Sequence, residues 1–328
     1  VDLRRVHEVN YGAALMYFTG SKEHNVGLRK IAQDNDWKLN EYGLFDGDDR
    51  IAGKSEKEVY DKLGLIYIPP ELRENRGEID AAKDGKLPDL VTMDNIKGEL
   101  HAHTKATDGK NTIREMADAA RDRGYSYIAI TEHSKEVHVA GGLGADELRK
   151  HTDEIEEINE DYHNFKIMKG VEVDILESGE LDLPDDVLKR LDYVLAAVHY
   201  NFDMPEEKMT KRMLKAMDNK HVNAIAHPFG KKINEREPYP MDFDKILEKA
   251  KERGIFLEMN GNPQRFDLDD VHCKAAKEAG VKIAIGTDSH STQDLDFMRN
   301  SVAYARRGWL EKSDVVNTRT WTELKKLL

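Results

Sequence analysis

From Lys97 onward, short runs of Val, Ile, Leu and Ala alternate with longer stretches whose apolar positions recur every three or four residues. Uninterrupted apolar runs of strand length predict strands buried on both faces, here at 97–102, 126–131, 167–173, 192–198, 222–226, 255–260 and 282–287. The intervening stretches predict helices. Residues 112–123 open on Thr112 with Glu115 three positions later, a capping box, and stop at Gly124. Residues 268–279 carry Leu268, Val271, Ala275, Ala276 and Ala279, then Gly280 as the stop. Repeated strand–helix units predict an α/β fold with a parallel sheet and outer helices. Seven of them predict closure into a barrel close to the eight-fold type.

The chain before Lys97 has a different texture. Residues 1–68 predict a small α/β domain: a strand-like start over 1–6, a helix over 22–35, strand and turn pieces around Asp46-Gly47-Asp48-Asp49, a helix over 56–63 and a strand over 65–68. Residues 69–96 are polar and rich in Gly, Pro and Asp, which marks a connector to the domain at 97–328. No stretch approaches the ~20 apolar residues of a membrane span, and the start lacks the apolar core of a signal peptide. The single cysteine, Cys273, excludes an internal disulfide and fits a reducing cytoplasm.

Chemistry gathers at the ends of the apolar runs. Strand one ends in Leu100-His101-Ala102-His103, with Asp108 in the following loop, and strand two in Thr131-Glu132-His133. Glu172 lies near the end of strand three, His199 ends strand four, and His227-Pro228 ends strand five. Thr287-Asp288-Ser289-His290 ends strand seven. In parallel α/β barrels these ends meet at one face, so residues distant in sequence converge. Burying so many polar groups without ligands would leave large desolvation costs. Imidazole and carboxylate suit Zn2+, Mn2+ or Fe2+, and no Cys cluster competes for softer ions. Three divalent ions bring six positive charges against the three carboxylates Asp108, Glu172 and Asp288, leaving about three uncompensated and favouring an anionic substrate such as a phosphate ester. A formal charge of −13 argues against a broad nucleic-acid face, yet a metal cluster makes one pocket positive inside an acidic protein.

These motifs resemble the polymerase-and-histidinol-phosphatase (PHP) domain, a distorted (β/α)7 barrel: His101-x-His103, Asp108, Thr131-Glu132-His133, Glu172, His199, His227-Pro228 and Asp288-x-His290. The resemblance implies that His101, His103, Glu172 and Asp288 hold one metal. Glu172 would bridge to a second held by His199 and His227, and Asp108, His133 and His290 would hold a third. Upstream, Tyr17-Phe18-Thr19-Gly20-Ser21 with Asn25 is similar to the nucleotide-side motif of family X DNA polymerases, and Asp2 resembles the third catalytic carboxylate of their palm. Ile68-Pro69-Pro70-Glu71-Leu72-Arg73 and Ala305-Arg306-Arg307-Gly308-Trp309-Leu310 resemble the bacterial and archaeal members. The chain is therefore similar to the end of palm, thumb and PHP domain of such a polymerase. The palm's first two aspartates have no counterpart, which implies a fragment that does not polymerise alone and whose partners are the missing palm and N-terminal domains.

The implied activity is processing of DNA 3′ ends, gapped or single-stranded, by a Mn2+-dependent 3′→5′ exonuclease and 3′-phosphatase or phosphodiesterase, with cleavage at abasic sites in some members. Lys231, Lys232 and Arg236 follow strand five and are expected to meet DNA phosphate. Asn260, Asn262 and Arg265 follow strand six, the one strand without an expected ligand, and Lys135 follows strand two; all are candidates for the substrate side. Glu132 and Tyr200 stand where the family commonly has Asp and Ser, and Lys231 and Glu235 replace frequent arginines. Lys lacks the bidentate grip of Arg, so DNA affinity is expected to be weaker there. His7, His24, His138, His151, His163, His221 and His272 are expected to be structural or surface residues, and the acidic run at 154–161 a solvated helix face. Two other functions share the pattern: a histidinol-phosphatase-like small-molecule phosphatase, and a non-catalytic DNA-binding or scaffolding module.

Overall fold

The computed structural model describes residues 3–328 and divides into two units, Val1–Asp89 and Leu90–Leu328. In the first, α1 (Tyr11–Thr19) and α2 (Lys22–Gln33) precede an antiparallel sheet of β1 (Trp37–Asn40), β2 (Gly43–Asp46) and β3 (Asp49–Ala52). Then come α3 (Glu56–Lys62), a 3-10 turn at Pro70–Leu72 and α4 (Glu78–Lys83). The turn expected at Asp46-Gly47-Asp48-Asp49 joins β2 to β3, with Gly47 at φ 55°, a conformation that suits glycine. Asn25 donates to the carbonyls of Tyr17 (2.9 Å) and Ser21 (3.0 Å), which locks the corner between α1 and α2.

Two expectations fail in this unit. Residues 65–68 pair with no strand, because Leu65 N and Ile66 N donate to the carbonyls of Tyr60 (3.0 Å) and Ala82 (3.3 Å), while Leu65 and Ile68 bury their side chains. Residues 3–6 form no strand either; Val1 and Asp2, with the comparison to a palm carboxylate, lie outside the described residues. The segment 69–96, expected as a connector, is built rather than loose. Buried Arg73 donates to Glu56 (2.5 Å) and to the Ile68 carbonyl (3.0 Å). Glu78 of α4 pairs with buried His24 (2.6 Å), which also meets the Tyr60 hydroxyl (3.0 Å).

All seven apolar runs of the second unit form strands: β4 (Gly98–Ala102), β5 (Tyr127–Ile130), β6 (Lys166–Asp174), β7 (Tyr193–Ala197), β8 (Ala224–Ile225), β9 (Phe256–Asn260) and β10 (Ile283–Gly286). They lie side by side in chain order, every neighbouring pair parallel. Alternation along each strand separates two cores. Leu100, Tyr127, Met168, Tyr193 and Leu195 fill the barrel. Residues such as Ile128, Ile130, Val171 and Val194 face α5 (Ile113–Asp122), α6 (Ala145–Asn159), α7 (Asp185–Leu188), α8 (Glu206–Ala216), α9 (Phe243–Arg253), α10 (Asp270–Ala279) and α11 (Met298–Arg307). Leu324 of α12 (Trp321–Leu324) joins the barrel's interior core. The capping box forms as expected, Thr112 and Glu115 exchanging bonds, and α5 buries Ile113, Met116, Ala117 and Ala120.

The barrel nearly closes between β4 and β10. At the carboxyl end the backbones bond directly, His103 N to Ser289 O (2.8 Å) and Ser289 N to His101 O (3.2 Å). Lower down, the Asn317 amide fills the gap, donating to the Gly98 and Ile285 carbonyls (3.0 Å each) and accepting from Ile285 N (3.1 Å). Among the described residues, no helix is long and apolar enough to cross a membrane.

Candidate metal centre

The site sits where the strands end. A register shift between Glu99 and Ala102 sets Leu100 and His101 opposite Ala129 alone. Such bulges re-aim side chains next to active sites, and His101 and His103 both turn toward the same point, ring centroids 5.1 Å apart. His227 (φ 25°) and Asp288 (φ 54°) adopt backbone conformations that disfavour non-glycine residues, a local strain typical of functional positions.

Glu172 is the hub. Its Oε2 lies 2.9 Å from His133 Nδ1, 3.5 Å from His101 Nε2 and 3.6 Å from His103 Nε2. Its Oε1 lies 2.9 Å from His227 Nε2 and 3.3 Å from His199 Nε2. Asp288 Oδ1 approaches His103 (3.4 Å), His101 (3.6 Å) and His290 (3.7 Å). Asp108 approaches His290 (3.3 Å) and His133 (3.6 Å). Three groups of side chains could each hold an ion: His101, His103 and Asp288; His133, Glu172 and His199; and His103, Asp108, His133 and His290. In this geometry His103 and His133 are each shared between two groups, and His227, outside all three, meets Glu172 through Nε2.

The donor set fits divalent cations. His101 Nε2, both nitrogens of His103, His133 Nδ1, His199 Nε2, His227 Nδ1 and Glu172 Oε2 are buried and make no hydrogen bond. Each such orphan costs about 1–3 kcal/mol, and native interiors hold few. Of these atoms, His101 Nε2, His103 Nε2, His133 Nδ1, His199 Nε2 and Glu172 Oε2 converge on one another, as metal ligands require. The site is strongly charge-coupled: despite burial, the surrounding imidazoles hold Glu172 and Asp288 well below the ordinary carboxylate range and Asp108 at about 2, while those carboxylates, against burial, raise His101, His199 and His290. Burial and the neighbouring His133 and His290 push His103 down to about 3, keeping it neutral as a ligand must be.

Behind the rings stand hydrogen-bond partners, two of them, Glu258 and Asp174, not among the residues expected from the sequence. Glu258 accepts from His101 Nδ1 (2.6 Å) and from His227 N (2.7 Å). Asp174 Oδ1 lies 3.3 Å from His199 Nδ1, and the Asp288 carbonyl accepts from His290 Nδ1 (2.9 Å). Such partners fix tautomer and ring orientation. A lone glutamate inside the apolar run Ile255-Phe256-Leu257-Glu258-Met259 was the available signal for the first of them.

The centre opens into a cavity of about 530 Å³. Of the residues expected on the substrate side, Lys232, Asn262 and Arg265 line it, facing Asp108, His133, His199, Asp288 and His290. Arg265 donates through Nε to Asp288 Oδ2 (3.1 Å), while its buried Nη1 has no partner. Asn260 lies beneath, bonded to the same Asp288 oxygen (3.2 Å). Lys135, Lys231 and Arg236 do not line the cavity. Lys135 is exposed, Lys231 engages Asp267 through its backbone (3.1 Å), and Arg236 donates to the Gly230 carbonyl (2.6 Å) and stacks on Phe202 (3.6 Å). Arg236 therefore props its own loop. Val137, Val139, Ala140 and Phe297 give the cavity an apolar wall.

Sequence comparison places the chain. Residues 14–74 match the DNA polymerase beta thumb and residues 99–262 the PHP domain. The "DNA polymerase/3′-5′ exonuclease PolX" of Bacillus subtilis is 42% identical across 100% of the chain, which spans 58% of that protein's length. A probable phosphatase of Thermoanaerobacter sp. is 33% identical over 67% of the chain and 89% of its own length. A histidinol phosphate phosphatase from Lactococcus lactis, solved with zinc, L-histidinol and phosphate, is 18% identical, with a TM-score of 0.47 over 65% of this chain and 93% of that one. With a polymerase-type thumb preceding it in sequence, the domain at the carboxyl side makes this chain a member of the PHP-domain family, in the arrangement found at the carboxyl-terminal part of family X DNA polymerases.

Proposed function

We propose that the chain is a metal-dependent phosphoesterase that trims DNA 3′ ends, removing a 3′ nucleotide or a 3′ phosphate. The observation that carries this reading is one buried carboxylate, Glu172, within 3.6 Å of five imidazoles, beside a cavity whose other wall holds Arg265 and Lys232. His101, His103, Asp108, His133, Glu172, His199, His227, Asp288 and His290 would hold three divalent ions, Mn2+ in the active form. Such ions supply Lewis acidity and water activated at neutral pH.

The remaining work falls to the chain's own groups. Arg265 lines the cavity and places a guanidinium there, whose planar fork suits a tetrahedral anion. Lys232 adds positive charge at the mouth. Glu258 accepts from His101 Nδ1, which aims Nε2 toward Glu172 and Asp288, where it would serve as the ligand atom. The polymerase-type thumb supports a DNA substrate over a free metabolite.

The test is Mn2+-dependent hydrolysis of a 3′-labelled gapped oligonucleotide, with histidinol phosphate run in parallel and His101→Ala as control. A ladder of shortened products that vanishes in H101A is the expected result. Hydrolysis of histidinol phosphate with intact oligonucleotide would establish the small-molecule phosphatase instead. Bound ions with neither reaction would leave a non-catalytic module.

A further inference from the structure

The three candidate ion positions differ in how the chain builds them. The groups at His101, His103 and Asp288 and around Glu172 come from strand ends and are almost wholly buried. The outermost group draws on loops: Asp108 lies in the turn beyond β4 and His290 in the bend beyond β10, their side chains 35% and 30% exposed. Something other than the barrel must hold the Asp108 loop in place.

The loop is folded tightly over the end of β4. Thr107 N donates to the Thr104 carbonyl (3.1 Å), as does Gly109 N (2.9 Å). Gly109 lies so close that a Cβ there would sit 2.7 Å from the His103 carbonyl carbon and oxygen. From below, a fully buried carboxylate grips both limbs of the turn. Glu132 Oε1 accepts from Thr104 N (3.0 Å) and Thr104 Oγ1 (2.5 Å), and Oε2 accepts from Thr107 Oγ1. His151 closes the far side, Nε2 3.5 Å from Oε1. Glu132 belongs to none of the three candidate ion groups and does not line the cavity. Its reach runs through Thr104 and Thr107 to the residue between them and Gly109, which is Asp108.

Resting on the metal-centre reading above, we infer that Glu132 is a positioning residue for Asp108, setting occupancy of the outermost ion position while leaving the two inner ones intact. Aspartate in its place would withdraw the carboxylate by about 1.5 Å, one carbon–carbon bond, and could hold Thr104 or Thr107 but not both. Thr107→Val is the cleaner perturbation, because Glu132 adjoins His133 in sequence. It removes the Thr107 hydroxyl's bond to Glu132 and its long contact with Asp108 Oδ1 (3.5 Å) at nearly constant volume.

The experiment measures bound Mn2+ by elemental analysis and calorimetric titration of the whole chain, the parent beside T107V, E132D and the double variant. The parent is expected to hold three ions. Each variant should retain two with parental affinity and bind the third about 10–100-fold more weakly. The double variant should be little worse than either single, because one clamp is broken in both. Activity should then need more Mn2+ for half-saturation yet recover its kcat when Mn2+ is saturating. Three ions at unchanged affinity in both variants would overturn the inference, as would parallel weakening of all three. A parent that binds only two ions would overturn it while sparing the metal centre, and a parent that binds none would overturn both.

Discussion

Replacing Glu258 by glutamine changes one oxygen to an amide nitrogen and should disable His101 as a ligand. The native carboxylate meets only donors: His101 Nδ1–H on one oxygen (2.6 Å), and on the other His227 N–H (2.7 Å) with Asn260 Nδ2 (3.4 Å). A glutamine offers one acceptor and one donor group. Its NH2 must therefore face either the His227 amide, which cannot change, or His101 Nδ1. The first arrangement sets donor against donor in a buried site, at about 1–3 kcal/mol. The second drives His101 into the other tautomer, with the proton on Nε2, the atom 3.5 Å from Glu172 and 3.6 Å from Asp288. A protonated Nε2 has no lone pair for a cation. Space allows no third solution, since even a methyl group on Gly286 would lie 2.3 Å from Glu258 Oε1 and 2.9 Å from His101 Cβ. The expected loss in affinity for the innermost ion is about 10–100-fold, or roughly 1.4–2.7 kcal/mol, matching the hydrogen-bond figure. Calorimetric Mn2+ titration of E258Q and of Gly286→Ala reads it directly, with thermal melting in chelator as the check on folding. Ion affinities within threefold of the parent in a folded E258Q protein would refute the tautomer argument.

Three further outcomes follow from the same geometry. Arg265→Lys keeps the charge but loses the fork, so inhibition by inorganic phosphate should weaken about tenfold or more while ion binding stays near the parental level; unchanged inhibition would remove Arg265 from the substrate side. Chelation should lower the melting temperature, because each ion at a hundred times its Kd contributes about 2.7 kcal/mol and its removal exposes buried orphan atoms; a melt indifferent to EDTA would contradict the metal centre. Glu78 is held below the ordinary carboxylate range, since burial is outweighed by bonds from His24 and from the amides of Arg76 (2.6 Å) and Asn75 (2.7 Å). Its stabilising contribution is therefore present above the unfolded carboxylate value and lost as pH falls through the lower folded one. Glu78→Gln should cost about 2 kcal/mol near neutrality and much less in acid, read as hydrogen exchange in α2; an equal cost at both pH values would refute it.

The fold was legible where burial is symmetrical. Strands covered on both faces read as unbroken apolar runs, and all seven formed with shifts of a residue or two at their ends. Residues 65–68 misled because a short apolar run carries no sign of whether a partner strand exists, and here helical carbonyls took the backbone donors. Asn317 was illegible for another reason: its task, stitching β4 to β10, arises only once the sheet has curled and left a gap. The ligand candidates stood out because each polar residue ends an apolar run. The loop residues did not sort themselves. Lys231, Lys232 and Arg236 are alike in sequence, and only the turn that bonds Lys232 to Arg236 decides which side chain faces the cavity.

The same structure revises the charge ledger that pointed to an anionic substrate. Counting only Asp108, Glu172 and Asp288 against three divalent ions leaves about three positive charges. That count omits Asp174 and Glu258, which stand behind His199 and His101 and direct their oxygens into N–H bonds rather than toward the ions. The excess in the cavity is therefore smaller than the ligands alone indicate. Arg265 becomes correspondingly more important. Its guanidinium donates one N–H to Asp288 and lines the cavity, so it would supply positive charge on the wall facing any bound ions. A site built this way needs no positive surface beyond the cavity, so a formal charge of −13 is compatible with the anionic substrate proposed above.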